Sequence, residues 1–345
     1  MTMKIGNNEL TRKKVVALVL ALIICVVAAI LSPFILTGAP EDGLVKVRRG
    51  STLEMVSDSL QSTIGTAFGR RVVTLLRLTG SDMTERHGAF QVNKGDSPFR
   101  VMRLLRSGQP SGIKFTFNNV RTRDEWAARV GDRFMMSKDE MLRALNDSAL
   151  CAKYGKTVDN VTAMLLPDSY EFYWDITPEQ MLDRMHDYYD KFWTGDRKAK
   201  AQALGLTPEQ VSTIASIVDE ETGKADERGK VARLYLNRVA TGMPLQADPT
   251  VKFAIGDFSI RRITYEMTRT SSPYNTYRNP GIPPGPIRLP EKSTLDAVLN
   301  APQHDYIYMC AKEDFSGYHN FTASYAEHMA NAHRYQTALN ARGVK

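Results

Sequence analysis

Three consecutive acids close a predicted helix, and each lies on a different side of it. The helix opens at Thr207 with Thr-Pro-Glu-Gln, which is typical of a helix N-terminus. At about 100° per residue, one face is apolar and predicted to be buried. That face consists of Val211, Ile214, Ala215, Val218 and Thr222. Glu221 lies on the rim of the face, Glu220 on the opposite, solvated side, and Asp219 on the other rim.

Glu221 is the candidate catalytic residue, because a carboxyl at an apolar edge is partly withdrawn from water. Such withdrawal raises the pKa of a carboxyl toward neutrality. A group that titrates near neutrality can give a proton to a leaving group and take one back. The structural alternative is a salt bridge from Glu221 to Arg228 or Arg233.

Three later segments present polar side chains in turns. Asp-Pro followed by a hydroxyl residue favours a sharp turn with outward side chains. A proline-rich loop with Asn and Tyr offers the amide and aromatic contacts that sugars use, and a His-Asn-Phe-Thr segment follows. Taken singly, each segment fits a structural turn at least as well. The candidate substrate-binding residues are Gln246, Asp248, Thr250, Asn275, Tyr277 and His319.

The cysteines and histidines do not predict a metal site. Neither residue type occurs in pairs with ligand spacing, so we expect no metal and no cofactor. Three cysteines in 345 residues also exclude a disulfide scaffold. Cys25 lies in an apolar segment, whereas Cys151 and Cys310 could pair, which spacing does not decide.

Residues Val15–Leu36 form an uncharged apolar segment of 22 residues. About 20 such residues span a bilayer as a helix. A signal peptide is the alternative, although its apolar region would be unusually long and no small-residue cleavage site follows. Four basic residues precede the segment, and Glu41 and Asp42 follow it. The sequence therefore predicts a single-pass anchor in the cytoplasmic (inner) membrane, with residues 1–14 inside and the chain after residue 37 outside.

The net charge of +7 is concentrated in one stretch. Between Arg70 and Arg133 there are 13 basic and 6 acidic residues. A basic stretch suits nucleic acid, an anionic surface or an acidic polymer, and a solvated helix face is the plain alternative. Because the topology places this stretch outside the membrane, we expect no nucleic-acid partner.

The order of predicted elements indicates an α+β fold. With 43% hydrophobic and 24% charged residues the chain is globular, and its length suits roughly two domains. Residues 37–43 read as a linker. Residues 44–117 alternate strand and helix twice, which predicts a small α+β module. Residues 118–205 form a helical and aromatic connecting region, and 206–345 the catalytic domain. The stretch after Gly242 is rich in Pro, Gly and Asn and is predicted to be irregular.

Five motifs occur in an order and spacing that resemble one known family. They read IASIVDEETG, VARLYLNR, GMPLQADPTV, SPYNTYRNPGIPPGPI and YHNFTASYAEH. Together they resemble the endolytic murein transglycosylase family (MltG/YceG-like). LLPDSYEFYW and GAFQVNKGDSPFRVMRLLRSGQP extend the resemblance, the latter to that family's LysM-like module.

The resemblance implies a chemistry and a catalytic residue. The family's essential glutamate, the second acid of Glu-x-Glu-Thr, falls on Glu221. Two departures are Asp219 at the first acid, and Ala247 where a hydroxyl residue is usual. The implied lyase reaction cleaves MurNAc–GlcNAc bonds inside peptidoglycan strands and leaves 1,6-anhydroMurNAc ends, which would terminate glycan elongation. Peptidoglycan strands would be the substrate and peptidoglycan synthases the partners.

Three alternatives to this interpretation remain open. A muramidase-type hydrolase would use Asp248 as a second carboxylate. A non-catalytic wall-binding protein would depend on the LysM-like module. A division scaffold with the same topology would need nothing from the Glu221 region.

Overall fold

The computed structural model describes residues 12–342. These divide into two compact units. Unit 1 runs to Ile113 and includes Phe172–Asp175, while unit 2 holds Lys114–Glu171 and the chain from Ile176 onward. Helices and strands are mixed throughout, which confirms the predicted α+β class. Within the described residues, three two-stranded sheets pair Gly43–Val47 with Gly88–Val92, Gly112–Phe117 with Asp168–Tyr173, and Tyr308–Ala311 with His319–Thr322.

Unit 1 begins with an exposed apolar helix. Its elements are α1 (Arg12–Ile35), β1 (Gly43–Val47), α2 (Leu53–Ile64), α3 (Thr66–Leu78), β2 (Gly88–Val92) and α4 (Pro98–Ser107). Within α1, Lys14–Ile35 is long and apolar enough to cross a membrane, and none of its most apolar stretch is buried. The strands β1 and β2 pair antiparallel, with Val45 opposite Phe90. Both side chains are fully buried in the core of the unit.

The predicted linker at residues 37–43 is bound to the rest of unit 1. Ala39 is buried, donates its backbone N–H to the carbonyl of Asp96 and accepts the N–H of Gly95, both at 2.9 Å. A Cβ on Gly38 would lie 2.7 Å from the Cα of Gly95, so only glycine permits this approach. These backbone hydrogen bonds fix the segment that its composition predicted to be a linker.

Unit 2 is mostly helical. The remaining elements are β3 (Gly112–Phe117), α5 (Arg123–Arg133), α6 (Lys138–Asn146), α7 (Ser148–Lys153), β4 (Asp168–Tyr173), α8 (Pro178–Phe192), α9 (Asp196–Ala203), α10 (Pro208–Glu221), α11 (Arg228–Ala240), α12 (Asp248–Ile255), α13 (Lys292–Leu299), β5 (Tyr308–Ala311), β6 (His319–Thr322) and α14 (Tyr325–Ala341). β3 and β4 each cross the boundary between the units. The C-terminal stretch is thus less irregular than predicted, since α13 and α14 lie within it.

Helix α10 is the centre of unit 2. The Thr207 hydroxyl accepts the N–H of Gln210, and the side-chain oxygen of Gln210 accepts the N–H of Thr207. These two bonds form the predicted capping box. Every residue from Val211 to Val218 is buried, including three serines and threonines. Their hydroxyls are satisfied, as when Ser212 donates to the carbonyl of Pro208 at 3.0 Å. The middle of α10 is therefore buried on every side, and not only on the apolar face predicted from the helical periodicity.

The cysteines are all free thiols. Cys151 is buried in α7 and Cys310 is half-buried in β5. The structure therefore gives no support to a bridge between them.

Candidate active site

A polar cavity of about 320 Å³ lies within unit 2 at the C-terminal end of α10. Five of the seven predicted site residues line it, namely Glu221, Gln246, Asp248, Tyr277 and His319. They come from α10, the turn into α12, the loop after it, and β6. Residues separated by about 100 positions are thus brought to one place, and the chemistry of the cavity is acid, amide, phenol and imidazole.

Glu221 ends α10 and lies half-buried at the cavity. The hydroxyl of Tyr235, a fully buried residue of α11, donates to Glu221 Oε1 at 2.7 Å. Burial raises the pKa of the Glu221 carboxyl above its usual range, and the nearby charge of Asp248 raises it further. The Tyr235 bond and the charges of His319 and Arg238 oppose these effects. A carboxyl with a raised pKa is what a general acid requires.

The salt-bridge alternative for Glu221 is not what the structure shows. Arg228 pairs with Glu291 at 3.2 Å and lies 3.8 Å from Asp219. Arg233 donates to the backbone carbonyls of Ala301 and Pro302 at 2.9 and 3.2 Å. Both arginines are thus bound by other acceptors.

The two neighbouring acids have structural partners. Asp219 accepts the hydroxyl of Thr294 at 2.5 Å and the N–H of Glu291 at 2.9 Å, which ties α10 to the start of α13. Burial raises the pKa of Asp219, and these two bonds oppose the rise.

The prediction that Glu220 lies on a solvated face of α10 is wrong. Its side chain is only 14% exposed and accepts two bonds from Arg121, at 3.0 and 3.2 Å. Arg288 donates a third at 2.8 Å. The face opposite the apolar stripe is therefore covered by arginines from elsewhere in unit 2 and not by solvent.

Asp248 and Tyr277 form a second hydrogen-bonded pair in the cavity. The phenol of Tyr277 donates to Asp248 Oδ1 at 2.6 Å. Burial and this bond raise the pKa of Tyr277 well above its usual value, so it stays a donor. Asp248 begins α12 and its carboxylate is exposed. Gln246, two residues earlier, has a φ of +48°. A side-chain-bearing residue adopts this left-handed conformation only at a cost, and such residues concentrate at functional sites.

Thr250 and Asn275 do not line the cavity. Thr250 is fully buried, and its hydroxyl lies 2.6 Å from the carbonyl of Ala247 and 2.8 Å from the hydroxyl of Thr276. The Asn275 amide, also fully buried, donates to the carbonyls of Thr268 and Thr270 at 2.9 and 2.8 Å. Both side chains hold together the loops that carry Asp248 and Tyr277. Their direct contact with substrate stays a prediction that these positions do not favour.

His319 is bound from behind by a buried carboxylate. Glu227 is 4% exposed, accepts the backbone N–H of His319 at 2.8 Å, and has its other oxygen 2.8 Å from the ring Nδ1 of the same residue. Thr222, the residue after Glu221, donates its hydroxyl to the same carboxylate at 3.1 Å. No motif in the sequence pointed to Glu227 as a site residue.

A model of the YceG-like family matches residues 45–334, which is most of the chain and includes every residue of the cavity. The chain belongs to the YceG-like family. This confirms the family that the five motifs resemble.

Named relatives are consistent with that membership. The YceG-like chain is 29% identical over 273 residues to the endolytic murein transglycosylase of Bacillus subtilis (strain 168), covering 73% of this chain and 74% of that one. It is 27% identical over 204 residues to the protein of the same name from Streptococcus pneumoniae serotype 2, covering 56% of this chain. It spans only 36% of that longer relative.

A solved structure supports the fold. The crystal structure of a yceG-like protein from Listeria monocytogenes superposes with a TM-score of 0.57 and covers 84% of this chain and 98% of its own. The two sequences are 24% identical, so this likeness concerns the fold alone.

Two cavity residues of this YceG-like chain belong to the VARLYLNR motif but are not among the predicted site residues. Tyr235 and Arg238 lie three apart on α11, which puts them on the same side of the helix. Arg238 is 8% exposed and donates to the carbonyls of Ile307 and Leu245 at 2.7 and 2.6 Å. Arg238 is one of four basic residues of α11, and only the fold shows that it is the buried one, so the sequence held no clear signal for it.

Proposed function

We propose that this protein is a membrane-anchored endolytic murein transglycosylase with Glu221 as its catalytic residue. It cleaves MurNAc–GlcNAc bonds within peptidoglycan strands and leaves 1,6-anhydroMurNAc ends. The observation that carries the proposal is one carboxyl, its pKa raised by burial, in a polar cavity of a YceG-like chain. The names of the relatives from Bacillus and Streptococcus support the substrate class.

One carboxyl suffices for this reaction. Protonated Glu221 gives its proton to the oxygen that leaves as the C1–O bond breaks. The 6-hydroxyl of the same muramic acid then attacks C1, and its proton passes to Glu221. The proton count closes, no water is consumed, and Glu221 is protonated again for the next cycle.

The other cavity residues position the glycan strand and stabilise the charge that develops during cleavage. Asp248 lines the same cavity as Glu221 and accepts the hydroxyl of Tyr277. In this proposal its negative charge stabilises the positive charge that develops at C1. Gln246 and His319 contact sugar or peptide groups of the strand. Asn275 and Thr250 act indirectly, because they hold together the loops that carry Asp248 and Tyr277.

The anchor is part of the proposal. Lys14–Ile35 matches a bilayer in length and hydropathy, and the charge difference across it favours an outward-facing unit 2. This arrangement puts the cavity on the side of the membrane where peptidoglycan is made. Synthases that elongate the strands are the expected partners.

A muramidase-type hydrolase is the second candidate, because Asp248 lies in the same cavity as Glu221. Hydrolases use a second carboxylate to activate water or to form a covalent intermediate. Their products carry reducing ends.

Mass spectrometry of the digestion products tests the proposal. Purified full-length protein in detergent is incubated with murein, and the new ends are identified. Anhydro ends from internal cleavage are expected, and they should disappear with Glu221→Gln. Reducing ends would establish the hydrolase, and no cleavage by the wild type would reject both enzymes.

A further inference from the structure

A network of hydrogen bonds runs from the catalytic end of α10 to His319. Thr222 caps α10 directly after Glu221, and its hydroxyl donates to Glu227 Oε2. The same oxygen lies 2.8 Å from Nδ1 of His319, and Glu227 Oε1 accepts the backbone N–H of His319. Glu227 is also the residue directly before α11, and it is buried.

This network decides which ring nitrogen of His319 carries the proton. A buried carboxylate accepts and does not donate, so Nδ1 must be the protonated nitrogen. In the neutral imidazole Nε2 is then a lone-pair acceptor. His319 lines the cavity, whereas the hydroxyls of Tyr235 and Tyr277 are already donated to Glu221 and Asp248. Neither tyrosine hydroxyl is therefore free to donate elsewhere, and Nε2 of His319 is a neutral acceptor that the cavity offers to a donor on the ligand.

We propose that Glu227 is a positioning residue that holds His319 with Nε2 as an acceptor for a hydroxyl of the glycan strand bound beside Glu221. The inference rests on the proposed function for its substrate. His319 is the contacting residue, and Glu227 acts through it by setting ring orientation and tautomer.

Glu227→Gln should reverse the tautomer without removing the network. The backbone N–H of His319 is an obligate donor, so the amide oxygen of the new side chain must take the place of Oε1. The NH₂ group then faces Nδ1 and the Thr222 hydroxyl, and both can accept from it. The ring proton moves to Nε2, which becomes a donor and repels the substrate hydroxyl proton.

His319→Asn is the complementary variant. An asparagine amide can replace the Nδ1–H bond to Glu227 but ends before the position of Nε2. The buried carboxylate stays paired while the cavity loses its acceptor. His333→Asn on the exposed side of α14 is the matched control.

The test joins nitrogen-15 NMR of the full-length protein in detergent with kinetics of anhydro-end formation, both at pH 8. The chain has six histidines, and His319 is assigned as the signal lost in His319→Asn. We expect Nδ1–H in the wild type and Nε2–H in Glu227→Gln. Activity should fall about 10–100-fold in both variants, which is the loss typical when the residue that orients a metal-bound histidine is removed. The His333 control should keep full activity.

The outcomes separate this inference from the proposed function. An Nε2–H tautomer in the wild type overturns the inference without any variant, so unfolding of Glu227→Gln cannot shield it. A reversed tautomer with undiminished activity also overturns it. Absence of anhydro ends from the wild type, with Nδ1–H present, rejects the transglycosylase and leaves the histidine geometry in place.

Discussion

Glu221 lies where its charge is costly, and this cost gives a stability test. Its folded pKa is raised, so the folded state binds the proton more tightly than the unfolded chain. Stability therefore falls as pH rises from the ordinary carboxyl pKa of 4.5 toward the folded value. Glu221→Gln should abolish activity and raise the melting temperature relative to wild type, by a difference that is small at pH 4 and grows toward pH 7. Thermal melts across this range measure it, and a destabilised variant at pH 7 would contradict the burial argument.

Glu220→Gln is the matched variant, and it should lower stability while leaving activity intact. It weakens contacts with Arg121 and Arg288 that the largely covered carboxylate now makes. We expect a loss of about 1–3 kcal/mol in the free energy of unfolding, since a charged network loses a partner. Cleavage at a temperature where the variant is folded should stay near wild type, because Glu220 does not line the cavity. Denaturant titration and the murein assay decide between this pattern and a catalytic Glu220.

Tyr235 should set the upper pH limit of activity. Its hydroxyl stabilises the charged form of Glu221, so Tyr235→Phe removes an influence that lowers the pKa of that carboxyl. The pKa of Glu221 then rises, and the fall in activity on the alkaline side should move to higher pH. A pH–rate profile of kcat over KM shows the shift, and a shift to lower pH would refute the assignment of Glu221 as the acid.

At the scale of elements, the turn from Leu245 to Asp248 stores strain beside the site. Gln246 has a φ of +48°, which glycine adopts freely and other residues adopt at about 1 kcal/mol. Gln246→Gly should therefore leave stability equal or higher while weakening substrate binding. Gln246→Ala is the control, because it removes the same contacts and keeps most of the strain. Equal activity of Gln246→Gly and wild type would show that the side chain does not touch substrate.

Helix boundaries were predictable where the signal is local. The capping box at Thr207, followed by proline, marks the start of α10 as the sequence indicated, and the same Thr-Pro-Glu-Gln pattern begins α8 at Thr177. A carboxyl on the rim of α10 was likewise readable at Glu221. The partners of Glu220 were not, since Arg121 and Arg288 lie 99 and 68 positions away and only tertiary folding brings them together. The same holds for Glu227, because its contact with His319 forms only when β6 folds beside it.

At the scale of the whole molecule, the sidedness of the membrane decides whether the cavity can meet its substrate. With residues 37–345 outside, a C-terminal reporter that works only in the cytoplasm should be silent, and one that works only outside should be active. The basic residues before the apolar segment give the physical reason. Reversed reporter signals would overturn the topology and the proposed function together.

The backbone bonds of Ala39 have a mechanical consequence. Only Thr37 and Gly38 lie between Leu36, the residue directly after α1, and Ala39, whose backbone is bound to Gly95 and Asp96. Three Cα–Cα steps join Leu36 to Ala39, so this connection can span at most about 11 Å. If α1 lies in a bilayer, as proposed, the edge of unit 1 that carries Ala39 stays close to the lipid headgroups. Any glycan strand that unit 1 bound would then have to lie near the membrane surface.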